Sequence, residues 1–114
     1  MAISFVNKGT WASGIIFTIN PGLPASMQAG DFCLLFVESA DEAISITNNG
    51  SITWTQVTNS PVSNGISAVT ARAVRLTVYY GWYNGGTTAP NIADSGNHTT
   101  GIIMAFRGVD PTTP

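Results

Sequence analysis

Apolar residues in this chain come in short runs or alternate with Thr, Ser and Asn, and no stretch repeats them at the three-to-four spacing of a helix. The pattern predicts strands over Ile3–Val6, Gly14–Ile19, Phe32–Ser39, Ile44–Thr47, Ile52–Val57, Ala73–Tyr83 and Gly101–Arg107. Phe32–Val37 and Ile102–Phe106 are apolar on both faces, which places both centrally. In Val74–Trp82 the even positions Val74, Leu76, Val78, Tyr80 and Trp82 share one face, and Arg75, Thr77 and Tyr79 share the other. Period-two alternation of this kind implies one buried face and one that is exposed or turned to a partner. The apolar set assigns Trp54, Tyr80 and Trp82 to the core. It leaves Tyr79 and Tyr83, out of phase with that set, as the exposed aromatics.

Between these runs lie explicit breakers. Asn49-Gly50, Asn64-Gly65 and Asn84-Gly85 accept positive φ at low cost and are hairpin signals. Asn20-Pro21-Gly22-Leu23-Pro24 and Asp110-Pro111-Thr112-Thr113-Pro114 read as turns or irregular chain. Ser39-Ala40-Asp41-Glu42-Ala43 is compatible with a single helical turn, Ser39 capping and Glu42 three residues on. Short strands, frequent turns and no long helix predict an all-β fold, a single-domain antiparallel β-sandwich of jelly-roll-like kind. The domain is expected over residues 1–110, with residues 111–114 a tail that serves as linker or contact arm.

Composition sharpens the picture. A chain of 114 residues fits one domain, and at this size folding buries roughly two-thirds of the accessible surface. Only 9% of residues are charged, against roughly a quarter in an ordinary domain. There is one lysine (Lys8), one histidine (His98) and one cysteine (Cys33). Cys33 lies in an apolar run, where a small buried hydrophobe is expected and no basic neighbour activates the thiol. The net charge is −2, and Lys8, Arg72, Arg75 and Arg107 are scattered in sequence, a pattern that does not favour nucleic-acid binding. No run reaches the roughly 18 apolar residues of a membrane span. The amino end has no basic region before its apolar residues, so a secretory signal is not expected. A surface this poor in charge has little self-repulsion and favours association.

Candidate chemistry is sparse. His98 lies near Asp94, Ser95 and Thr99, but the spacing matches no hydrolase motif and no Gly-x-Ser-x-Gly is present. A polar turn before a central strand explains the segment. Asp41, Glu42 and Asp94 lack the spacing of a calcium loop, and one His with one distant Cys is no zinc site. Gly85-Gly86 reads as a turn rather than a phosphate cradle. No catalytic residue, cofactor or metal is expected. Trp11, Trp54, Trp82, Tyr79, Tyr80 and Tyr83 are the aromatic inventory, serving either as core or as a stacking platform for sugars. Asn49-Gly50-Ser51 and Asn97-His98-Thr99 match a glycosylation sequon and read as polar turns. Arg72, Arg75 and Arg107 are candidates to meet acidic residues of a partner.

The order of motifs resembles a small all-β module of virion proteins in tailed bacteriophages and prophages. Ile3-Ser4-Phe5-Val6 leads to Gly9-Thr10, and Gly30-Asp31 opens an apolar strand ending in Glu38-Ser39. Ile52-Thr53-Trp54-Thr55-Gln56-Val57 resembles that family's tryptophan strand, without the glycine that usually precedes the tryptophan. Arg75-Leu76-Thr77-Val78-Tyr79-Tyr80, Thr87-Thr88-Ala89-Pro90 and Asp94-Ser95-Gly96-Asn97-His98 follow. The pattern closes with Ile102-Ile103-Met104-Ala105-Phe106-Arg107-Gly108-Val109-Asp110. The resemblance implies a capsid decoration or cement protein, or a tail-fibre or baseplate module, and brings no catalytic residues. It implies synthesis in the bacterial host cytoplasm and residence on the virion at the capsid surface. The partners it implies are further copies of the chain, as a homotrimer, and the major capsid protein. Nucleic acid and membrane are not among them, and a host glycan belongs to the tail-module alternative.

Overall fold

The structure, a computed structural model, describes residues 2–15, 18–40, 42–64, 74–93 and 98–114. Its described residues form nine strands and no helix. The strands are β1 (Ser4–Lys8), β2 (Ala12–Gly14), β3 (Phe32–Ser39), β4 (Ser45–Asn48), β5 (Thr55–Gln56), β6 (Val62–Asn64), β7 (Val74–Trp82), β8 (Asn91–Ala93) and β9 (Thr99–Arg107). Seven make one antiparallel sheet in the order β1-β9-β3-β7-β5. In it β2 continues the first edge along β9, and β6 continues the far edge along β7. β4 and β8 make a two-stranded sheet. Ile19 extends that sheet by exchanging backbone hydrogen bonds of 2.9 and 3.0 Å with Ile92. The fold is an all-β single domain with sandwich-like layering.

The two doubly apolar runs take the inner positions of the large sheet. All eight residues of β3 are paired on one side with β7 and on the other with β9. Leu35, Val37, Ile103 and Ala105 of this sheet meet Ile19 and Ile92 of the smaller layer, with Cys33 and Ile52, in one buried cluster. Val6 is the extra residue of a bulge between Phe5 and Asn7 on β1, and it packs on the same cluster.

The inner face is built from small residues as much as from large ones. On β7 it carries Thr77, Tyr79 and Gly81, because those positions pair with the buried Val37, Leu35 and Cys33. The Ile52–Thr53 segment crosses directly over Gly81. A Cβ there would lie 2.4 Å from the Thr53 carbonyl oxygen and 2.6 Å from the Ile52 Cγ2, so no side chain fits. This reverses the expected orientation of β7. Tyr79 and Tyr83, expected to be exposed, pack against the core. Tyr80 and Trp82, expected in it, face the other way.

Two Asn-Gly pairs turn the chain without forming hairpins. Asn49-Gly50 leads from β4 to Ile52, and Asn84-Gly85 leads from β7 toward β8, so each carries the chain between layers. Gly50 has φ +68°, and its missing Cβ leaves room for the Thr88 carbonyl, which would lie 2.4 Å away. The two crossings are joined at the buried Ser51. Its N–H donates to the Thr88 carbonyl at 2.8 Å, its carbonyl accepts from Asn84 N–H at 3.0 Å, and its Oγ accepts from Thr88 N–H at 2.9 Å. Asn64 pairs with Val74 across β6 and β7, while the connection expected at Asn64-Gly65 falls outside the described residues. Ile16 and Phe17 of the expected Gly14–Ile19 strand also fall outside them. So does Asp41 of the expected helical turn, where the Ser39 hydroxyl donates to the Glu42 carbonyl at 2.8 Å.

Candidate functional site

Strand alternation sends the bulkier half of the large sheet outward. Phe32 lies opposite both Trp82 and Phe106, Leu34 opposite Tyr80 and Met104, and Phe36 opposite Val78 and Ile102. These three apolar rows cross the sheet on the side away from the second layer. Their residues are half-buried, and none belongs to the group packed on the core cluster. They cover one another. Phe32 meets Trp82 edge-on at 5.3 Å between ring centroids and stacks on Tyr80 at 6.0 Å. Tyr80 meets Trp82 edge-on at 5.8 Å, and Phe106 meets Phe5 at 5.7 Å.

The same face collects the exposed hydrophobics. Among the described residues, every large apolar side chain that is both exposed and in a strand points to it: Phe5 (58% exposed), Val62 (67%), Val74 (43%) and Leu76 (41%). Its described strand positions hold two charges, Lys8 opposite Met104 on the edge strand and Glu38 opposite Thr100 at the end of β3. The Glu38 carboxylate lies 2.7 Å from the His98 Nε2. At the aromatic end a depression of about 310 Å³ is lined by Phe32, Leu34, Tyr80, Val57, Thr58 and Pro114. Asp110 shapes the chain leading there by accepting the Thr112 N–H and hydroxyl at 2.8 and 2.7 Å.

The remaining chemistry-bearing residues serve the fold. The Asp31 carboxylate, 3% exposed, accepts from Arg107 Nε at 2.8 Å, from Arg107 Nη2 at 2.7 Å and from Gln28 N–H at 2.7 Å. The guanidinium first, then the Gln28 N–H, hold its pKa below the usual carboxylate range against the opposing effect of burial. Arg107, expected to seek a partner's carboxylate, is thus engaged within the chain, and Arg72 lies outside the described residues. Burial, with a smaller push from the Asp31 charge, raises the Cys33 thiol to about 12, so it stays protonated at neutral pH and is a poor nucleophile. Its Sγ lies 3.7 Å from the Met27 sulfur. Trp54 is half-buried on the core, and its indole N–H donates to the Asn49 carbonyl at 3.1 Å. Trp11 is 62% exposed. His98 meets Glu38; Asp94 and Ser95 lie outside the described residues. Among the described residues no three His, Cys, Asp or Glu side chains come together.

One signal in the sequence marks this face. Along β3 the bulky rings of Phe32 and Phe36 fall on the outward side with Leu34, while Cys33 and Val37 fall on the other side with Leu35. Bulk, rather than polarity, distinguishes the two sides. Comparison of the chain with protein-family models, curated proteins and solved structures yields no match.

Proposed function

We propose that this chain is a non-enzymatic virion structural protein that acts by association, in its most specific form a capsid decoration protein that binds the assembled shell and stabilises it. The observation that carries the association is the outer face of the large sheet, with its crossing rows of aromatic and aliphatic side chains; the capsid shell as partner comes from the sequence resemblance. Contiguous apolar surface beyond a few hundred Å² marks a place where a partner or membrane is bound. A chain with 9% charged residues also has little charge repulsion to keep copies apart. The mechanism is thermodynamic: copies that bind the closed shell, and not its dispersed subunits, shift the equilibrium toward the shell by mass action. Saturating undecorated phage heads with the protein is expected to raise their disruption temperature, followed by light scattering or DNA release. An unchanged temperature at saturation removes the reading.

A second reading, a tail-fibre or baseplate module binding a host-surface glycan, is favoured by the depression beside Phe32 and Tyr80. Aromatic faces stack on the apolar faces of sugar rings, and Tyr80 is placed for this where Tyr79 and Tyr83 are not. Binding on a glycan array that is lost in Tyr80→Ala supports this alternative.

A further inference from the structure

We infer that the outer face is covered by the same face of a second copy, related by a two-fold axis. The inference rests on the association reading above and names the occupant of that surface.

Area is the first argument. Five columns of strand lie side by side, the two edge columns being β1 continued by β2 and β5 continued by β6, so that a column averages about eight residues. At about 4.8 Å between strands and about 3.3 Å per residue over eight residues, the face measures roughly 600 Å² in plan. Two such faces bury roughly 1,200 Å², which reaches the range of stable, specific interfaces and exceeds the size of most incidental contacts. Protruding rings make the true area larger than the plan.

Character is the second. A partner of different sequence is selected by charges and hydrogen-bonding groups, and this face supplies few. Its described charges, Lys8 and Glu38, stand on the edge strand and at a strand end. The middle, at Leu34, Phe36, Ile102 and Val78, is aliphatic and aromatic, so an identical face is complementary to it without any matching of charge. Sheets packed face to face at about 10 Å, with interdigitating side chains, are a common way to bury such a surface. The sheet then gains on its outer side the layer it already has on its inner side.

Symmetry is the third. A two-fold axis needs one patch, used by both copies, whereas a ring of three needs two different patches that fit each other. The exposed strand hydrophobics Phe5, Val62, Val74 and Leu76 gather on a single face. The geometry therefore points to a dimer as the unit that associates further, in place of the expected trimer.

Sedimentation equilibrium of the full chain, from about 1 to 100 µM, tests this. The expected mass is twice the 11.9 kDa of one chain. Leu76→Lys is expected to weaken the dimer at least tenfold while keeping the far-ultraviolet circular dichroism of the fold. Val62→Lys, at a site 67% exposed, does the same should Leu76→Lys fail to fold. Ser45→Lys, on the exposed side of β4 in the other layer, is expected to dimerise as the native chain does. A monomer throughout the range, a trimer, or a dimer indifferent to both face substitutions overturns the inference. Binding to phage heads is scored separately: a monomer that decorates heads removes the dimer and leaves the function, and a dimer that ignores heads does the reverse.

Discussion

Among the described residues, Asp31 is the buried carboxylate, and its acidity is strengthened chiefly by Arg107. A carboxylate whose folded pKa is depressed contributes stability above its unfolded value, 3.8, and that contribution is lost as pH falls through the folded pKa. The melting temperature should therefore hold steady near neutrality and drop below about pH 4. Asp31→Asn retains an acceptor for the Gln28 N–H but forfeits the charge. It should cost on the order of 2 kcal/mol at pH 7, as expected when a buried ionic hydrogen bond is lost, and should flatten the acid limb. Calorimetry of both proteins from pH 2 to 7 checks this, and parallel acid limbs would place the sensitivity elsewhere. Asp110, also shifted down by its hydrogen bonds to Thr112, is fully exposed and leaves the comparison undisturbed. The pair joins residues distant in sequence, so nothing near Gly30-Asp31 or Arg107 in the chain announces it.

At the scale of the strand, hydrophobicity and burial part company. Leu76 and Gly81 lie on opposite faces of β7, and a hydropathy ranking makes Leu76 the structural residue. The packing makes it Gly81, because its face is pressed against the Thr53 carbonyl. Gly81→Ala should destabilise by about 2 kcal/mol or more, as overpacking a tight core does, while Leu76→Ala should cost about 0.5 kcal/mol or less in the isolated chain. Denaturant unfolding of dilute samples ranks the two, and the opposite order would restore the expected orientation of the strand. The three long strands were readable: β3 runs from Phe32 to Ser39 as the apolar run predicts, and β7 and β9 fall within two residues of expectation, whereas β2 (Ala12–Gly14) shares only Gly14 with the expected Gly14–Ile19 and β5 keeps two residues of Ile52–Val57. β6 and β8, three residues each, carry too few positions to show a period. The facing of β7 was not legible because alternation reveals that two sides differ, not which side the second layer covers. The decisive facts, that Ile52 and Thr53 cross at Gly81 and that Asn84-Gly85 carries the chain to another sheet, are long-range. The outer face was therefore visible as a set of residues, Val74 through Trp82, and misassigned as core.

For the molecule as a whole, the imbalance is between one covered and one uncovered side of the same sheet. The inner side is saturated by Ile19, Ile52 and Ile92. The outer side carries the rings of Phe32, Tyr80, Trp82 and Phe106, which shield one another only in part. A monomer in water keeps the transfer free energy of that surface unrealised, at about 25 cal/mol per Å², so a second copy that removes it is coupled to folding itself. Dimerisation of this kind makes thermal stability depend on concentration, because unfolding releases two chains from one particle. With about 0.7 kcal/mol of unfolding enthalpy per residue, a dimer of chains this length should gain about 3 °C in melting temperature for each tenfold rise in concentration. The Leu76→Lys chain, folded but with a weakened dimer, should melt lower and with a smaller shift over the same concentrations. Scanning calorimetry at about 5, 50 and 500 µM separates the two behaviours. A native chain whose transition does not move across that range would mean that no second copy covers the outer face, and its aromatic rows would then contribute only through the contacts they make within one chain.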